Sequence, residues 1–180
     1  EQLVSLATQM EGHPDNAAAA LLGGFVVSAL RDVSTQNAVA VQLPLKSFPR
    51  FLAWIPDDEL GTSEARAALP DSYSRADCVF NISRASLLVA ALAAQNWEAL
   101  REALHDKIHQ PFRAPLIRGY HEVVTAAREA GALGATLSGA GSTVLVWLHP
   151  DEQDTAHIQN AIQNAAQNCG AAGRVLSLAV

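Results

Sequence analysis

The chain has 180 residues, 49% hydrophobic and 17% charged, enough apolar surface for one substantial core and too little charge for a disordered chain. Its net charge is −6, and its 12 Lys and Arg are scattered singly, so the basic stripe of a nucleic-acid binder is missing. No uninterrupted apolar run reaches the roughly 18 residues of a membrane span, and neither a transmembrane helix nor a membrane partner is expected.

Residues 1–5 lack the basic opening of a secretory signal. Cys78 and Cys169 stand far apart in apolar contexts. They read as two buried thiols in a reducing compartment, which places the protein in the cytoplasm. No Cys/His pair has zinc-ligand spacing.

In chain order, Leu3, Leu6, Ala7 and Met10 fall at helical spacing, so residues 2–11 read as a helix that Gly12 ends. Pro14 follows, and Asp15 or Asn16 is placed to cap a short Ala-rich helix stopped by Gly23 and Gly24. Residues 24–31 and 37–43 read as strands around a turn at Thr35, Gln36 and Asn37. Phe51–Ile55 is a third strand, closed by Pro56. A short helix begins near Thr62 and Ala65. Leu87, Leu88, Ala91 and Leu92 mark a longer helix, and Trp97, Leu100, Leu104 and Ile108 mark another. Pro111 and Pro115 bracket a loop holding Phe112 and Arg113. Tyr120, Val123, Val124 and Ala127 mark one more helix. Residues 133–137 and 143–148 read as strands around a Gly-rich loop. Ile158, Ala161, Ile162 and Ala165 share a helix face, and residues 174–180 form a closing strand. The pattern predicts an α+β fold, with helices packed on an antiparallel sheet.

Three polar clusters interrupt these apolar elements. The first is Glu11-Gly12-His13-Pro14-Asp15-Asn16. Its residue types suit a plain turn, but carboxylates also suit Mg²⁺, and His13 could donate to a polar substrate. The second is Ser138-Gly139-Ala140-Gly141-Ser142. Its glycines allow close backbone approach and an anion-binding nest, although a hairpin loop would use the same residues. The third comprises Arg84 and Arg113, each beside an apolar helix. A guanidinium can clamp a carboxylate, and a solvated surface arginine is the alternative. His105 and His109 are four apart and read as surface residues. No nucleophile elbow and no Gly-Lys-Ser/Thr phosphate loop is present.

In order, these clusters resemble homoserine kinases of the GHMP small-molecule kinase superfamily. The likeness lies in Glu11–Asn16 continuing through Gly24, in Phe80-Asn81 with Ser83-Arg84, in His109–Ile117, and in Leu137–Thr143. The resemblance implies a ferredoxin-like GHMP kinase C-terminal domain. It implies transfer of the γ-phosphate of ATP to the side-chain hydroxyl of L-homoserine in threonine biosynthesis. Glu11 would hold Mg²⁺, and Glu11, Asp15 and Arg113 would be catalytic. His13, Asp15, Asn16, Arg84, Arg113, Gly139 and Gly141 would meet homoserine. Ser138, Gly139 and Gly141 would meet the nucleotide.

The resemblance divides the chain into a helical segment over 1–24 and an α+β domain over 25–180. The family's Pro-x-x-x-Gly-Leu-Gly-Ser-Ser loop does not occur in these residues. The N-terminal ATP-loop domain is therefore expected to be absent and the chain alone inactive. An apolar face so exposed could pair two copies as a homodimer. The family usually has Val and Pro where Ala17 and Ala19 stand, and Pro where Arg118 and Ser142 stand. The last two put loop geometry beside the site in question. Two further readings compete: a GHMP kinase for another small hydroxyl substrate, and a non-catalytic ferredoxin-like metabolite-binding or dimerisation module.

Overall fold

The computed structural model describes residues 2–32, 34–58 and 60–179. They form two compact units, residues 1–46 and 47–180.

In the first unit, α1 (Gln2–Glu11) and α2 (Pro14–Leu22) precede an antiparallel pair, β1 (Phe25–Asp32) and β2 (Asn37–Leu43). Val4, Ala18 and Ala38 are its buried apolar centre, with Val26 and Ala40 packed on it. The unit boundary therefore falls at 46/47, whereas the sequence motifs suggested 24/25. The physical reason is pairing: β1 and β2 bond to each other in a separate two-stranded sheet. Helix α2 begins on Pro14, a residue suited to a first helical turn. His13 is its N-cap but gives no side-chain cap. Asp15 lies inside the first turn and does not cap the helix.

The second unit opens with β3 (Arg50–Pro56). Four helices follow: α3 (Thr62–Ala67), α4 (Arg75–Ala94), α5 (Trp97–Ala103) and the short α6 (Gln110–Arg113). Then come α7 (Tyr120–Glu129), β4 (Gly134–Leu137), β5 (Val144–Leu148), α8 (Ala156–Asn168) and β6 (Gly173–Leu178). The sheet order is β4-β5-β3-β6, all antiparallel. With helices between β3 and β4 and between β5 and β6, this is the ferredoxin-like βαββαβ arrangement. Of the expected closing strand, Val180 lies outside the described residues.

Periodicity explains the core. Leu52 and Trp54 alternate on β3, as do Val144, Val146 and Leu148 on β5, so each strand buries one row. Tyr120, Val123 and Ala127 line one face of α7, and Ile158, Ile162 and Ala166 one face of α8. These helices cover that side of the sheet. Gly119 initiates α7 at φ +79°, and a Cβ there would meet Ala171 Cβ at 2.8 Å. Only glycine suits both constraints.

The long helix begins well before Leu87, at Arg75. Ser74 Oγ accepts from the Asp77 N–H at 3.1 Å and donates to Asp77 Oδ2 at 2.6 Å, a capping-box variant. At 20 residues, α4 is long and apolar enough to cross a membrane by length and composition alone. Counting uninterrupted apolar residues misses this, because its few polar residues are spread out. Two of them, Asn81 and Arg84, bond within the unit, as described below. The two prolines expected in a loop instead open helical turns: Pro111 in α6 and Pro115 in a 3₁₀ turn over Ala114–Leu116.

Candidate active site

In the first unit, Glu11 ends α1 and is exposed. Gly12 at φ +85° turns the chain. His13 Nδ1 lies 2.6 Å from Asp15 Oδ1, which also accepts the Asn16 N–H at 2.9 Å. Partial burial would raise the Asp15 carboxyl, but the Asn16 N–H and His13 outweigh it and hold it below the usual carboxylate range. Asp15 is therefore an anion at neutral pH. Asn16, Glu11 and Met10 edge a hollow of 350 Å³ between α1 and α2.

In the second unit, a cleft of 290 Å³ is lined from several elements, among them Asn81 and Arg84 of α4, Asp106 and His109 of the loop before α6, and Thr136 and Trp147 of the sheet. Asp106 organises it. Its carboxylate accepts Asn81 Nδ2 at 2.5 Å, the His109 N–H at 2.9 Å, the Ile108 N–H at 3.3 Å, and the Gln110 N–H. Asn81 Oδ1 in turn accepts the Lys107 N–H at 2.8 Å. Burial would raise the Asp106 carboxyl, but these donors prevail and hold it below its ordinary value. Gln110 Oε1 accepts from the Tyr120 hydroxyl at 3.0 Å and from the Leu137 N–H at 2.9 Å. The loop is thereby tied to α4, α7 and β4 at once.

Arg84 stacks over Phe80 at 4.2 Å and approaches Glu102 Oε2 at 3.7 Å. Its Nε is fully buried and has no hydrogen-bond partner. Arg113 is 6% exposed. Its Nε donates to the Ala65 carbonyl at 2.9 Å, and its Nη1 to His109 Nε2. Neither arginine is a solvated surface residue. His109 is half-buried, not a surface residue, whereas His105 is exposed.

Ser138 is exposed at the start of the glycine loop. Its N–H donates to the Thr143 carbonyl at 2.9 Å, and its own carbonyl accepts the Gly141 N–H at 3.1 Å. Gly139 and Gly141 adopt φ +58° and +90°. The Gly141–Ser142 peptide is cis. Ser142 Oγ donates to the Asp58 carbonyl at 3.3 Å. Arg118 reaches towards the Gly170 carbonyl and is not among the residues lining the cleft.

The site residues thus fall into two sets. Glu11, His13, Asp15 and Asn16 share one turn of the first unit. Arg84, Arg113, Ser138, Gly139 and Gly141 belong to the second, where His109 touches Arg113. Sequence reasoning passed over Asp106, Gln110 and Asn81 as functional groups. Asn81, Gln110 and His109 were visible inside the motifs. Asp106, three residues before His109, had no local signal beyond being an acidic residue ahead of a proline turn.

Residues 88–171 match the C-terminal domain of the GHMP kinases. Over those residues the chain carries a GHMP kinase C-terminal domain.

Along its whole length the chain is similar to homoserine kinases. It is 45% identical over 181 residues to the homoserine kinase of Synechococcus sp., covering 99% of this chain and 57% of that relative. It is 42% identical to the homoserine kinase of Deinococcus radiodurans, covering 100% of this chain and 57% of the relative. The crystal structure of homoserine kinase from Cytophaga hutchinsonii superposes with a TM-score of 0.83 at 28% identity, covering 93% of this chain and 52% of that one. The chain thus spans little more than half the length of the relatives it matches.

Proposed function

We propose that this chain supplies the substrate-holding side of a kinase that transfers the γ-phosphate of ATP to the side-chain hydroxyl of L-homoserine, a step in threonine biosynthesis. The observation that carries this reading is the buried, unpartnered Nε of Arg84 beside the cleft. An orphan guanidinium N–H is costly to bury and calls for an anionic acceptor. The α-carboxylate of homoserine provides one. Kinship with homoserine kinases over 99% of the chain supports the same substrate.

In this reading Arg84 and Arg113 bind the carboxylate, with Arg113 Nη2 as the donor left for it. Within the first unit, Asp15 is kept ionised and oriented by His13 as a hydrogen-bond acceptor, and Asn16 supports the turn. Gly139 and Gly141 let the loop approach substrate and phosphate, and Ser138 edges the same loop. Phosphoryl transfer needs positioning and charge neutralisation more than covalent help, and a magnesium ion bound with the nucleotide supplies part of that neutralisation. Among the described residues no three acidic, His or Cys groups cluster as a ready metal site. Mg²⁺ is commonly held by one or two carboxylates plus phosphate oxygens, and the single exposed carboxylate of Glu11 fits that role. The main phosphate contacts are assigned to a loop outside these 180 residues, so the chain alone is expected to be inactive. Free thiols at Cys78 and Cys169 suit a reducing, cytoplasmic setting.

Calorimetric titration of the purified chain with L-homoserine tests this. Binding is expected, weakened about tenfold or more in Arg84→Met through loss of a charge-assisted hydrogen bond. ADP release with ATP and homoserine is expected at background. Binding of a different small hydroxy compound in place of homoserine would move the protein to another GHMP kinase activity. Binding of neither would leave a non-catalytic module.

A further inference from the structure

We propose that Gln110 is a positioning residue that sets the root of the glycine loop against the helical turn carrying Arg113, its side-chain oxygen holding the Leu137 N–H directly before Ser138. The inference rests on the reading just given for Arg113 and the glycine loop.

Strand β4 is an edge strand, paired with β5 on one side. Backbone N–H groups alternate in direction along such a strand. The Ser138 N–H crosses the hairpin to the Thr143 carbonyl, so the Leu137 N–H faces the open edge. Leu137 is buried, and an N–H left there without an acceptor would be costly. Gln110 Oε1 accepts it at 2.9 Å. A backbone N–H only donates, which fixes the amide with its oxygen towards β4. The same oxygen accepts from the hydroxyl of Tyr120, the first residue of α7, at 3.0 Å.

The backbone of Gln110 is fixed as well. Its N–H donates to Asp106, whose carboxylate also accepts Asn81 Nδ2 of α4 at 2.5 Å. Arg84 lies three residues beyond Asn81 on α4, and Arg113 closes the short helix that Gln110 opens. The two arginines and the glycine loop are therefore referred to one residue. The loop needs such an anchor. Gly139 and Gly141, both at positive φ, give it little stiffness of its own. Its placement follows from how its ends are held, by the Leu137–Val144 strand pair and by Gln110.

The test combines NMR and calorimetry on the whole 180-residue chain. Gln110→Met keeps the length of the side chain and removes the acceptor. In this variant the Leu137 amide is expected to exchange with solvent at least tenfold faster, and the amides of Ser138 to Gly141 to lose order in ¹⁵N relaxation. Leu52 and Trp54 of β3 should exchange as in wild type. Homoserine affinity should fall about tenfold, the size of one lost hydrogen bond. Gln110→Glu keeps an acceptor oxygen and should restore loop order and affinity to within about threefold of wild type.

A loop and a Leu137 amide unchanged in Gln110→Met would overturn the proposal. So would equal acceleration at Leu52 and Trp54, which would make the effect a general loss of stability. Homoserine affinity unchanged despite a loosened loop, or a Glu variant as impaired as Met, would overturn it too. If the wild type binds no homoserine at all, the functional reading fails, and exchange and relaxation alone decide whether Gln110 holds the loop. Should Gln110→Met not fold, Gln110→Asn, whose shorter amide cannot reach Leu137, carries the same measurements.

Discussion

A single carboxylate, Asp106, gathers four N–H donors from Asn81, Ile108, His109 and Gln110. Replacing it by Ala strands those donors, and Asp106→Ala is expected to cost about 2–3 kcal/mol in urea denaturation. Its depressed folded-state pKa gives a signed pH dependence. The unfolded carboxyl binds protons more readily, so the Asp106 contribution is complete above the unfolded value of about 3.9 and is lost as pH falls through the lower folded value. In Asp106→Asn that part of the acid limb should vanish from a plot of stability against pH.

His109 acts in the same direction at higher pH. Its folded pKa is lowered, so stability is complete above about 6.5 and falls as pH drops from there to the folded value. At this scale the motifs were legible and their environments were not. Arg113 looked like a candidate for solvent because its Ala65 partner lies 48 residues away in sequence. Nothing near position 113 announces that carbonyl.

Among the elements, those with a clean period were read well. The rows 120, 123, 124, 127 and 158, 161, 162, 165 marked α7 and α8, and short apolar runs marked β3 and β5. Helix α4 was located too late, because Leu87–Leu92 was its loudest apolar stretch. The signal that marks its start is Ser74 with Asp77 three residues on. Ser74→Ala should cost about 1 kcal/mol of thermal stability, the usual value of a side-chain cap.

A second element-level test lies at the edge strand β6. A Cβ on Gly173 would stand 2.6 Å from the Ile55 carbonyl oxygen and 2.9 Å from Trp54 Nε1. The first is paired backbone and cannot yield. Gly173→Ala is expected to lose about 1–3 kcal/mol by overpacking, read as a lower melting midpoint. The helix α6 escaped sequence reading for the opposite reason: proline opens a helix as readily as it ends one, and Pro111 does the former.

Across the whole molecule, the two units differ in what holds them. The second is built around Trp54, Leu52, Val146, Ile158 and Ile162, all fully buried. The first has Val4, Ala18 and Ala38 at its centre and leaves Leu3, Leu6 and Met10 exposed. Burial of so little apolar surface supports little free energy. Hydrogen exchange should therefore run faster in β1 and β2 than in β3 and β5; equal protection would show that the small centre is not the limiting factor. The boundary at 46/47 was hidden in the sequence because β1 and β2 look like any other half-buried strands. Only their choice of partner separates them from the four-stranded sheet.

The placement of Trp54 has an optical consequence. The chain has 3 tryptophans, and Trp54, Trp97 and Trp147 all lie after residue 46. Trp54 is sealed in the core, Trp97 stands edge-on to His149 at 5.6 Å, and Trp147 lines the cleft. Indole emission is thus blind to the first unit. A melting curve followed by fluorescence reports the second unit only, while circular dichroism in the far ultraviolet sums the helices of both. Two such curves that fail to coincide would show the units melting separately, without a label on either.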